Sequence, residues 1–136
     1  MFRLSIVTPE KVVFDGEVAS LIVPGTEGYL GVLSHHAPLI TALQTGKIEF
    51  KDAGDKLHIF AISGGFIEVS HNTATLLADT AEHSDEIDAV RAQTAFERLT
   101  RGLENGEVLA GGIGKFEQKE ALRKAANRLK IYKETH

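Results

Sequence analysis

The chain has no cysteine and no tryptophan, one methionine and three prolines in 136 residues. Without cysteine there is no disulfide framework and no thiolate metal site, which fits a reducing compartment. No apolar run approaches the roughly 20 residues that span a bilayer, so no membrane-crossing helix is expected. The start, Met1-Phe2-Arg3-Leu4-Ser5, lacks the charged, apolar and small-residue sections of a secretion signal. Excess positive charge is missing too. The 15 Lys and Arg against 19 Asp and Glu give a net charge of −4, so the totals make no case for nucleic acid. No serine lies in a G-x-S-x-G elbow. Gly111-Gly112-Ile113-Gly114-Lys115 fails as a P-loop, because Leu109 and Phe116 occupy two required positions. His35 and His36 are adjacent, and neighbours seldom chelate one ion. A cytoplasmic protein that performs no catalysis of its own is expected.

What is present changes character near Ser84. Upstream, Phe2-Arg3-Leu4-Ser5-Ile6 alternates as a half-buried strand does. Further short strands are expected at 12–14, 17–23, 30–33, 39–43, 47–51, 56–62, 66–70 and 73–78. Asp15-Gly16 reads as a tight hairpin, and turns are expected at Pro24-Gly25, Asp52–Asp55 and His71-Asn72. So many short strands imply an antiparallel sandwich or barrel. Gly64-Gly65 precedes an alternating strand, as at a bulge or sheet corner. Downstream, Ala92, Ala95, Phe96, Leu99 and Leu103 follow the spacing of one helical stripe, with Asp85 as the expected N-cap. Gly102 and Gly106 are expected to end that helix. A second helix starts near Lys115, with Leu122, Ala125, Ala126, Leu129 and Tyr132 on one face. Two domains follow, 1–84 and 85–136.

Charge is unevenly shared. Residues 1–83 carry 5 basic and 10 acidic side chains, whereas Lys115–Lys133 carries 7 basic and 2 acidic. That basic stretch is either a solvated face or a helix that docks on an acidic protein surface. Both helical stripes are rich in alanine, which buries little area, and the expected inter-helix loop from Gly102 to Gly114 holds five glycines. These features suggest a hairpin only marginally stable against opening, with a permanently packed hairpin as the alternative.

The segments Gly28-Tyr29-Leu30-Gly31-Val32-Leu33-Ser34-His35-His36-Ala37-Pro38-Leu39 and Ser63-Gly64-Gly65-Phe66-Ile67-Glu68-Val69 resemble the ε subunit of the F-type ATP synthase. Val7-Thr8-Pro9 and Ile87-Asp88-Ala89-Val90-Arg91-Ala92 match as well, in the same order. The form of Gly65–Val69 looks more bacterial than chloroplast. The resemblance implies an antiparallel β-sandwich of about ten strands followed by an antiparallel two-helix hairpin. It implies a subunit of the central stalk that links the γ subunit to the c-ring and couples proton translocation to ATP synthesis. Its helical arm would inhibit ATP hydrolysis when extended into the α/β catalytic hexamer. The implied location is peripheral, on the cytoplasmic face of the bacterial inner membrane, without nucleic acid or membrane insertion. Tyr29, Leu33, His36 and Pro38 are the implied subunit contacts. His35 departs from the glycine that the family commonly has there; histidine tolerates positive φ better than most residues.

No cofactor is required, but some members bind a regulatory ATP on the folded arm. The matching positions here are Ile87, Asp88, Arg91, Arg98 and Arg128. Lys124 stands where those members carry another arginine, and an ammonium does not replace a bidentate fork. Weak binding or none is therefore expected. Read from the residues alone, Asp88 and Arg91 are a helix-surface pair worth under about 1 kcal/mol. A stand-alone nucleotide-sensing module built on that helix is the alternative function, and an unrelated ligand-binding sandwich is a third.

Overall fold

Phe2, Leu4 and Ile6 are buried on one face of β1 (Phe2–Val7), while Arg3 stays exposed. The same logic builds six more strands: β2 (Val12–Gly25), β3 (Gly28–Val32), β4 (Leu39–Asp52), β5 (Leu57–Ser70), β6 (Thr73–Ala78) and β7 (Ala81–His83). The computed structural model describes residues 1–105 and 115–136, in two compact units, Met1–Ser84 and Asp85–His136.

In the first unit the strands run in the order β1-β6-β5-β4-β2-β3, and β1 also pairs with β2. Five strands thus close on themselves, around a core that includes Leu4, Ile6, Leu21, Ile48, Phe50, Ile67 and Leu76. The architecture is the expected sandwich, with two differences. Seven strands replace the expected ten or so, because three expected strand pairs are single 14-residue strands that bend instead of ending. One pairing, β1 with β6, is parallel; all others are antiparallel.

The corner in β5 shows how such a bend is made. Its first half pairs with β7 and its second half with β6, and the change falls at Gly64 and Gly65, with φ of 91° and 134°. A Cβ on Gly65 would come within 1.9 Å of the Leu77 carbonyl oxygen, so only glycine fits.

The hairpin expected at Asp15-Gly16 is absent. Both residues lie within β2, Asp15 opposite Ser5 and Gly16 opposite Leu4. The reversal comes earlier, where Thr8 N–H donates to the Lys11 carbonyl at 2.9 Å. Pro9 occupies the second turn position there, for which its fixed φ suits it. Pro24-Gly25 is not the turn expected either: both close β2, opposite Tyr29 and Gly28, and the chain reverses at Thr26-Glu27. The other two expected turns hold. Asp52 Oδ1 accepts the N–H groups of Gly54 (2.9 Å) and Lys56 (3.0 Å) between β4 and β5. His71 and Asn72 both take positive φ, 51° and 57°, as a two-residue hairpin joining twisted strands requires.

The second unit holds α1 (Ala89–Asn105) and α2 (Lys115–Thr135), preceded by a 3₁₀ turn at Ser84–Glu86. The helices run antiparallel: a groove between them is lined by Ala89, Val90 and Thr94 from α1 and by Leu129, Tyr132 and Lys133 from α2. All five expected α1 stripe residues are buried or half-buried, as are the five of α2. Gln118 and Ile131 are buried too, off the expected list. Gly102 does not end α1 but lies buried inside it. Gly106 and most of the expected inter-helix loop lie outside the described residues.

Candidate docking face and nucleotide motif

An antiparallel sheet facing water normally presents polar side chains on that side. Here a row of apolar residues faces outward instead. Val12 stands opposite Val7, Val7 opposite Leu77, Leu77 opposite Phe66, and Phe66 opposite Ala42. Ile40, two residues before Ala42, shares its side of β4. Val12, Leu77, Phe66 and Ile40 are each more than half exposed. Partners in register lie about 5 Å apart, so the row is one continuous surface. A patch of this kind marks a contact with another macromolecule.

Of the expected contact residues, Tyr29 lies on β3, while Leu33, His36 and Pro38 lie on the β3–β4 loop leading to Ile40. Tyr29 and Leu33 are more than half exposed, Pro38 is exposed and His36 half-buried. His36 N–H donates to the Leu33 carbonyl at 3.2 Å, closing a turn with His35 at φ 61°. The turn survives the histidine, as positive φ at that position demanded. His36 Nδ1 lies 2.7 Å from the Ala37 carbonyl, which orients the ring.

The outward row escaped the sequence reading, although it left a trace. Val12-Val13, Leu39-Ile40, Phe66-Ile67 and Leu76-Leu77 are adjacent apolar pairs. Within an alternating strand such a pair must place one member on each face, and only one face is core.

The nucleotide motif sits at the start of α1. Asp88, not Asp85, is the N-cap: its Oδ1 accepts the Arg91 N–H at 3.0 Å, and its carbonyl accepts the Ala92 N–H at 3.0 Å. Asp85 falls within the 3₁₀ turn, where Oδ1 lies 3.8 Å from His136 Nε2. Ile87 is buried, whereas Arg91 and Arg98 are exposed. Their separation of seven residues puts them on one face of α1, roughly 10 Å apart along the axis. Arg128 is half-buried on α2. The groove between the helices has a volume of about 350 Å³, and its walls include none of the five motif residues. Among the described residues no His/Asp/Glu group is arranged to hold a metal ion.

Residues 1–84 match the family described as ATP synthase, Delta/Epsilon chain, beta-sandwich domain. The chain belongs to the ATP synthase delta/epsilon family. Over almost its full length it is similar to the ATP synthase epsilon chain of Desulforamulus reducens, 44% identical over 94% of both chains. The epsilon chain of Moorella thermoacetica is 46% identical over 94% of this chain and 93% of its own. Among solved structures, a chain of the Euglena gracilis mitochondrial ATP synthase OSCP/F1/c-ring assembly superposes with a TM-score of 0.80 at 22% identity, covering 98% of this chain and 80% of that one. A chain of the Tetrahymena thermophila mitochondrial ATP synthase central stalk and c-ring gives a TM-score of 0.58 at 14% identity, over 98% and 94%. The structures share the fold; the sequence relatives fix the family. Membership makes ATP synthesis by a rotary synthase the process that this chain serves. Among the described residues no helix is long and apolar enough to cross a membrane.

Proposed function

We propose that the chain is a non-catalytic subunit of the central stalk, its sandwich docked on the γ subunit and the c-ring. The outward row from Val12 to Ile40, leading into the Leu33–Pro38 loop, is the observation that carries this reading. Water-exposed apolar side chains in register across five strands gain about 25 cal/mol per Å² when a partner covers them. The subunit would then sit peripherally at the cytoplasmic face of the bacterial inner membrane. It transmits rotation without forming or breaking a bond.

The arm has a separate role in this proposal. Lys119, Arg123, Lys130 and Lys133 are exposed along α2 and fall within one narrow band of its surface. That band suits an acidic surface, and the α/β hexamer is its proposed partner when the arm extends and hinders hydrolysis. Substituting His36 by glutamate should weaken co-purification with the γ subunit. Unchanged recovery would refute the assignment of the loop.

A regulatory ATP on α1 is a second reading, favoured by the exposed Arg91 and Arg98 on one face. The Asp88 cap engages Oδ1 and leaves Oδ2 to accept from an adenine or ribose group. Titration of the purified chain should show weak binding. No heat or spectral change at millimolar ATP would reject this site.

A further inference from the structure

Asn72 is not in the outward row; at the turn between β5 and β6 it ties that turn to two distant segments, the start of the chain and the β3–β4 loop. Its Oδ1 accepts the N–H of His35 at 2.7 Å, its Nδ2 donates to the Met1 carbonyl at 2.9 Å, and its own carbonyl accepts the Arg3 N–H at 3.2 Å. The side chain is half-buried, with φ of 57°. The group that it clasps is the least favourable residue of the β3–β4 loop. His35 is the third residue of the Leu33–His36 turn, and its φ of 61° is one that a side chain with a Cβ resists. As in a type II turn, glycine is the natural occupant of that position. The turn's own hydrogen bond is long, at 3.2 Å, while the bond from Asn72 is the shorter.

We propose that Asn72 is a positioning residue for docking: it holds the strained His35 turn in the shape that presents Leu33, His36 and Pro38 to the partner subunit. This rests on the docking reading above. A loop that visits its binding shape only part of the time binds more weakly by that fraction. Removing the clasp should therefore weaken docking without any loss of a direct contact.

The test compares four full-length chains: wild type, Asn72→Gly, His35→Gly and the double variant. Glycine at 72 keeps the left-handed backbone but removes the side-chain bonds to both His35 and Met1, so a modest loss of stability is expected, read separately by urea unfolding. Each chain is titrated against synthase stripped of its own copy. Asn72→Gly should bind about five- to tenfold more weakly than wild type. On the His35→Gly background, where the turn needs no support, the same change should cost less than about twofold. Equal losses on both backgrounds, or no loss on either, would overturn the proposal. Amide exchange at His35 in the free chain should speed up in Asn72→Gly, and unchanged exchange would overturn the clasp by itself. Failure of the wild type to bind would instead overturn the docking reading, and this proposal with it.

Discussion

Phe66 and Ile67 are neighbours in β5 whose side chains point to opposite faces, and truncating each to alanine should separate docking from folding. Ile67 is fully buried in the sandwich core, so Ile67→Ala should cost 2–5 kcal/mol of stability, about the range for a large-to-small core change. Phe66 is 57% exposed, and Phe66→Ala should leave stability within about 0.5 kcal/mol of wild type. Docking reverses the ranking. Fully burying a phenylalanine gains about 1.5–3 kcal/mol, and covering the 57% of Phe66 still exposed gains about 0.9–1.7 kcal/mol, so losing it should weaken affinity for the stripped synthase by roughly 4- to 20-fold. Urea unfolding reads the first quantity and titration reads the second. A Phe66→Ala chain that unfolds as readily as Ile67→Ala, or that docks with unchanged affinity, would refute the argument from strand parity.

Gly65→Ala should destabilise by about 3 kcal/mol or more, because its Cβ would strike the Leu77 carbonyl and φ is 134°; thermal melting checks this, and an unshifted melt would contradict the corner. Asp88→Ala should lose about 1 kcal/mol of arm stability through the missing cap, and Asp85→Ala should lose less; helix content followed by circular dichroism separates the two. The Asp52 carboxyl is held below the usual carboxylate range by its hydrogen bond to His58, 2.9 Å away, and by the Lys56 N–H. A lowered native pKa means that this contribution is present above the unfolded value, near 3.9, and is lost as pH falls through the native one. Asp52→Asn should therefore destabilise at pH 7 and converge on wild type in strong acid. A difference that stays constant from pH 7 to pH 2 would refute the linkage.

Much of this architecture was legible because its determinants are local. Alternation placed most of the strands, the paired glycines marked the corner at Gly64-Gly65, and the 3.6-residue stripe marked both helices. Most of the failures share a cause, in that they depended on partners distant in the chain. Asp15-Gly16 has ideal turn chemistry, yet pairing of β1 along the whole of that stretch holds it straight, and Arg3 adds an ion pair to Asp15 at 2.8 Å. The parallel pairing of β1 with β6 joins residues some 70 positions apart and leaves no local signature. Asp85 and Asp88 are both good caps; the choice is local, made by the 3₁₀ turn that contains Asp85 and leaves Asp88 at the start of α1. Gly102 reads as a helix stop, yet α1 runs through it to Asn105. The docking loop was legible through family resemblance. The outward row was not, since its members converge only once the strand order is known. The clasp at Asn72 is less legible still, because it joins position 72 to positions 1 and 35.

The most direct measurement is hydroxyl-radical labelling of the chain, free and assembled into the synthase. Labelling of Phe66, Leu77, Tyr29 and Leu33 should be strong in the free subunit and should fall sharply on assembly. Side chains on that face that remain as reactive in the assembled complex as in isolation would contradict the account.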